Sequence, residues 1–141
     1  ERLYKESLNV FQGNNSLNLL CQATVLYALG TLYLEMQKPK EAETILKAAL
    51  STREKTAQKK YLSENGIYDA LGRSYYLQDR LSEAEETLKK ALEFAREEKS
   101  ATSEAYTKAN LSLVYGALGK YEEARKLLKE SLETISKSHG E

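Results

Sequence analysis

The feature that most constrains this chain is an internal repeat. Leu29-Gly30-x-x-Tyr33, Leu71-Gly72-x-x-Tyr75 and Leu111-Ser112-x-x-Tyr115 state one pattern three times. Nine residues after each tyrosine stands an alanine (Ala42, Ala84, Ala124), and four residues further stands a leucine (Leu46, Leu88, Leu128). A unit of this size cannot bury its apolar face alone, so copies must stack on one another.

Periodicity makes the units helical. Over residues 42–50, 81–92 and 121–132 apolar side chains recur at three- and four-residue steps, as on the stripe of an amphipathic helix. The segments that carry the leucine–tyrosine pattern are apolar over a wider arc, which predicts helices covered on more than one side. Ala, Leu, Glu, Lys and Arg abound and there is one proline, which argues against a loop-rich or all-β fold. Glycine inside a helix costs roughly 1 kcal/mol against alanine. A place that repeats that cost at Gly30 and Gly72, with Ser112 third, predicts a close helix approach. Ala42, Ala84 and Ala124 are the expected facing partners, the tyrosines fill the space beside the contact, and the leucines close it. Pro39 reads as a helix start and Gly119 as a helix end. Ser16, Asp79 and Ser82 read as N-caps.

These residues resemble the tetratricopeptide repeat, a helix–turn–helix unit with the signature Trp-x-x-Leu-Gly-x-x-Tyr and then Ala-x-x-x-Phe. Leu26, Tyr68 and Lys108 hold the tryptophan place, and the leucines hold the phenylalanine place. The third copy departs most, at Lys108 and Ser112. Ala49, Ala91 and Ser131 are 42 and 40 residues apart, whereas the common period is about 34. The tyrosine-to-alanine step is constant, so the extra length lies between copies. Segments such as residues 51–60 read as added helical turns. Units this long resemble those of kinesin light chains and related adaptor proteins. Leu3-Tyr4 and Ser7-Leu8 match Ile45-Leu46 and Ala49-Leu50, which makes residues 1–12 the second helix of a truncated copy. Complete copies then occupy 16–60, 61–100 and 101–138. The resemblance implies an all-α, right-handed superhelical solenoid of antiparallel helix pairs, three repeats preceded by one orphan helix. The chain starts at Glu1 without methionine, and a fragment of a larger protein is expected.

The resemblance also implies that the first helix of each pair lines a concave groove. Thr24, Tyr27, Thr31 and Leu34 would face it from the first copy, Asp69, Arg73, Tyr76 and Leu77 from the second, and Tyr106, Ala109, Asn110 and Leu113 from the third. Nine of these form the expected peptide-binding set: Tyr27, Thr31, Leu34, Asp69, Arg73, Tyr76, Tyr106, Asn110 and Leu113. Tyrosine offers large contact area at low rotamer entropy. Asn110 could pair with both peptide groups of an extended strand. Arg73 could take a carboxylate, unless Asp69, one turn earlier, neutralises it. A subset of the family grips a C-terminal carboxylate with lysine three residues before the small motif residue and asparagine just after it. Those places hold Tyr27 and Thr31, Asp69 and Arg73, Ala109 and Leu113, so chaperone-tail binding is not implied.

Several function classes are disfavoured. Lys+Arg and Asp+Glu are 21 each, which removes the basic footprint of a nucleic-acid binder. The small cluster Arg53, Lys55, Lys59 and Lys60 is diluted by Glu54. The most apolar stretch, residues 25–34, is too short to cross a bilayer, and no membrane partner is expected. Cys21 is the sole cysteine and fits a reducing, cytoplasmic setting. It cannot make a nucleophilic pair or metal site with His139, the single histidine, far away in the chain. No phosphate-binding glycine loop is present. The acids at 83–86 and 122–123 suit helix first turns. The reading is a non-catalytic adaptor or scaffold module without cofactor or metal, binding a segment of a partner protein. The alternatives are a structural spacer or self-association element joined through the array ends, and a regulatory sensor domain fused to an effector domain.

Overall fold

A computed structural model describes residues 2, 6, 16–56 and 63–139. Six helices follow one another: α1 (Ser16–Glu35), α2 (Pro39–Glu54), α3 (Glu64–Leu77), α4 (Leu81–Glu97), α5 (Ala101–Ala117) and α6 (Tyr121–His139). Among the described residues there is no strand. Each helix packs on its chain neighbours, and the first helices of successive pairs also touch, α1 with α3 and α3 with α5. The result is an all-α solenoid of three helix pairs. Arg2 and Glu6 are helical and paired at 2.9 Å. The rest of the expected orphan helix over 1–12 lies outside the described residues.

The three turns within pairs and the turn between α4 and α5 share one backbone solution, whereas α2 ends at Lys55 in a right-handed conformation. At each of the four, the residue after the C-cap adopts a positive φ: Gln37 (59°), Asp79 (60°), Lys99 (55°) and Gly119 (80°). The following N–H then reaches back to the carbonyl five residues earlier, as in Lys38 to Tyr33 (2.9 Å), Arg80 to Tyr75 (2.9 Å), Ser100 to Ala95 (3.1 Å) and Lys120 to Tyr115 (2.8 Å). This is the Schellman closure, which satisfies carbonyls that the helix end would leave unpaired. Gly119 ends a helix as expected, and Pro39 opens one. Asp79 and Ser82 do not cap. Asp79 is spent on the left-handed turn, Ser82 lies inside α4, and no side chain caps that helix. Ser100, unforeseen, caps α5 by accepting from the Ser103 N–H at 3.2 Å. Ser16 is the first residue of α1 rather than a flanking cap.

The core sits between helices in two contiguous clusters. One joins Leu34, Leu46, Leu71, Tyr75, Leu88, Leu111 and Val114, and the other joins Leu20, Ala23, Leu26, Ile45, Ala49 and Ile67. The small motif residues do mark a close approach, but the partner is the leucine, not the alanine. A Cβ on Gly30 would lie 2.6 Å from Leu46 Cγ, and one on Gly72 would lie 2.6 Å from Leu88 Cγ. Each glycine is a socket for the branched end of that leucine. In the third pair the counterpart Leu128 is 46% exposed instead.

Two further expectations change. Helix α1, over Leu17–Glu35, is long and apolar enough to span a bilayer by length and composition, more than the 25–34 stretch alone suggested. Its Leu20, Ala23, Leu26 and Leu34 are nevertheless buried in the repeat core. Arg53 does not join a surface basic cluster. It is buried, donates to the Thr56 carbonyl at 3.3 Å and faces Glu64 at 4.0 Å. Helix α2 stops at Glu54, so the added turns expected over 51–60 end there, and residues 57–60 lie outside the described residues.

The polar interior is matched. Lys108, in the tryptophan place, is held by Glu104 at 3.1 Å and Glu130 at 3.4 Å. Asn65 Nδ2 donates to the Ala91 carbonyl at 2.7 Å, and Ser131 Oγ donates to the Ala105 carbonyl at 2.7 Å. Residues 65 and 105 occupy equivalent places, as do 91 and 131. One contact is thus made twice, with the donor on the first helix in one pair and on the second helix in the next. In the first pair the same places hold Ala23 and Ala49, both fully buried.

Candidate groove site

The three first helices share one face, and a cavity of about 180 Å³ opens there. Its wall comes from Leu34 and Glu35 of α1, Arg73, Tyr76 and Leu77 of α3, and Asn110 and Leu113 of α5. Five of the nine expected groove residues meet around it: Leu34, Arg73, Tyr76, Asn110 and Leu113. Leu34 contributes only floor, since it is 1% exposed. Leu77 and Leu113 are exposed apolar walls.

Arg73 and Asp69 do not neutralise each other as an ion pair. Arg73 instead faces Glu35 of the preceding pair at 3.7 Å. Asp69 is buried at 5% exposure and accepts from Asn110 Nδ2 at 2.9 and 3.1 Å, 41 residues away. Burial pushes its carboxyl above the usual range, opposed by hydrogen bonds from Asn110 and Thr107 and by the Arg73 charge. Asn110 is therefore not a free clamp. Its N–H₂ is committed to a neighbouring pair, and only the amide oxygen is left to meet a partner. Asp69 is likewise a joint between repeats rather than a contact surface.

The other expected residues stand elsewhere on the face. Tyr27 is half-buried, and its hydroxyl reaches α3, where a Cβ on Gly66 would lie 3.2 Å away. Burial raises its pKa, and Asp69 and Tyr106 add to the rise against Arg73. Tyr27, Asp69 and Tyr106 thus form a second group beside the cavity. Thr31 donates to its own helix, to the Ala28 carbonyl at 2.8 Å, and does not line the cavity. Tyr106 is exposed.

Sequence reasoning missed Glu35 and Gln37, both in the cavity wall. Glu35 was recoverable, because Leu77, already placed on the groove, lies 42 residues later in the equivalent position. Gln37 lines the cavity through its left-handed turn, which side-chain pattern does not announce. Among the described residues, no group of His, Cys, Asp and Glu could hold a metal ion.

Comparison with known proteins bears on the same segments. Residues 64–137 match a family model described as the tetratricopeptide repeat, and residues 22–59 match a second model of that description. No curated protein matches the sequence. Among solved structures the chain is similar to BtubC (BKLC) from P. vanneervenii, with a TM-score of 0.74 over 99% of this chain at 23% identity. This chain spans 55% of the length of that one.

Proposed function

The chain belongs to the tetratricopeptide repeat family, and from that premise we propose that it is a non-catalytic adaptor that binds a segment of a partner protein in its concave groove. Repeats of this family mediate protein–protein interaction and scaffolding and are generally non-catalytic. The observation that carries the narrower reading is the cavity, whose walls come from all three first helices. Its walls are apolar at Leu77 and Leu113, with polar groups at Arg73, Glu35 and Asn110. Such a mixture suits an apolar side chain of the partner entering the cavity while its flanking backbone meets the polar groups. The partner segment is identified by affinity capture and peptide mapping. Leu77→Ala with Leu113→Ala then removes two exposed walls without touching the core. Affinity by calorimetry should fall at least tenfold, the loss typical of truncated anchor positions. Unchanged affinity in a double variant of normal helix content would remove the groove from the account.

A further inference from the structure

The contact between α3 and α5 differs in kind from the one between α1 and α3. At the former, Asp69 meets Asn110. Counting back 42 and 40 residues, the equivalent places hold Tyr27 of α1 and Ala70 of α3. Stacking one pair on the next therefore does not call for a carboxylate there. Burying one costs free energy even when it is hydrogen-bonded, and Asp69 is buried. Its effect on the groove lies in the direction of a hydrogen bond.

An ionised carboxylate only accepts hydrogen bonds, so the end of the Asn110 amide that faces it has to be the nitrogen. Nδ2 lies 3.1 and 2.9 Å from the two Asp69 oxygens, and Oδ1 is thereby turned away from them. Among the described residues nothing donates to that Oδ1, and no buried side-chain oxygen or nitrogen lacks a partner. Oδ1 is thus open to solvent, on a residue that lines the cavity. Arg73 on the same wall can only donate, and its ion-pair partner Glu35 stands at 3.7 Å. With the amide reversed, Arg73 and Asn110 would both donate.

Resting on the groove reading above, we infer that Asp69 is a positioning residue of the groove: as a carboxylate it turns the Asn110 oxygen into the cavity, so that the bound segment must present an N–H donor at this point, and as a neutral acid it removes that demand. A protonated carboxyl has one donor and one acceptor, and either end of the amide satisfies it. Burial raises the Asp69 pKa, against the hydrogen bonds from Asn110 and Thr107 of α5 and the charge of Arg73 on its own helix. Tyr27 of α1 also feels the Asp69 charge, and Tyr106 of α5 lies beside Tyr27. Of the charges on and beside α2 and α4, Glu43 holds Lys47 and Arg80, and Glu85 holds Lys89.

The orientation is read first without a partner, by proton exchange at the Asn110 side-chain amide in the whole chain. Its NMR signal is identified by its loss in Asn110→Ala. At neutral pH these protons should be protected relative to free asparagine. The protection should be lost in Asp69→Asn, and in the unaltered chain once pH falls through the Asp69 transition, while the backbone amides of α3 and α5 stay protected. Binding is then measured with the segment that the chain captures. Asp69→Asn and Asn110→Ala should each weaken it about fivefold, the worth of one hydrogen bond. The double variant should be no weaker than either, because Asp69 acts through Asn110. Acidification should weaken binding by the unaltered chain more than by Asn110→Ala. An unprotected amide at neutral pH, additive losses, or an acid dependence no smaller in Asn110→Ala would overturn the inference and leave the groove intact. Unchanged affinity in Leu77→Ala with Leu113→Ala would instead remove the groove reading, and this inference with it.

Discussion

A methyl group added at Gly72 would have to share space with Leu88 Cγ, 2.6 Å away in the packed interior. Gly72→Ala should therefore destabilise the fold by about 1–3 kcal/mol, the usual cost of overpacking, despite alanine's better helix propensity. Gly116, in the last turn of α5, has nothing within 4 Å of the same methyl. Gly116→Ala should stabilise by about 0.5–1 kcal/mol. Chemical denaturation of the two variants reads opposite signs from one substitution, and Leu88→Ala in the Gly72→Ala background should recover part of the loss in a double-mutant cycle. Lys99 sits at φ 55° without the freedom of glycine. Lys99→Gly should raise stability by up to about 1 kcal/mol, since a left-handed conformation costs an ordinary side chain roughly 1–2 kcal/mol and glycine loses more entropy on folding.

The helix pair is the scale at which charge enters stability. Burial pushes the Glu43 carboxyl up, but hydrogen bonds from Lys47, Gln78 and Arg80 carry it down to about 2. A lowered folded pKa contributes stability that is complete above the unfolded value of 4.5 and is lost as pH falls through about 2. Unfolding measured across that window should lose on the order of 1–3 kcal/mol from this group, and Glu43→Gln should flatten the slope. Asp69 works with the other sign. Its raised pKa favours the fold most below 3.8, and that share is lost as pH climbs through the folded value. The pairing of helices was legible in sequence because tyrosine, small residue and leucine recur at fixed steps. Which residue enters the glycine socket was not legible, since Ala42 and Leu46 lie one turn apart on the same face and pattern alone does not separate them. The groove was half legible for a similar reason. Sequence displays neighbours along a helix, so Arg73 looked like the partner of Asp69, while Asn110 stands 41 residues away and meets it only through stacking.

Among the described residues the main helix contacts lie within a pair or between adjacent pairs, so stability is to a first approximation a sum of local terms joined by junctions. The middle pair has a junction on both sides, whereas α6 leaves Leu128, Leu132 and Ile135 uncovered. Amide hydrogen exchange followed by mass spectrometry should find α6 opening first and α3 and α4 last. Equal protection along the array would mean that the junctions act as one cooperative body. The exchanged donors at Asn65 and Ser131 carry a consequence for engineering. The units look like interchangeable cassettes, but transplanting α3 onto α6 would point an amide and a hydroxyl at one spot, each deprived of the carbonyl it uses now. Order along this polypeptide is therefore written into its interior, and a shuffled version would carry crowded or stranded polar groups even with every apolar contact preserved.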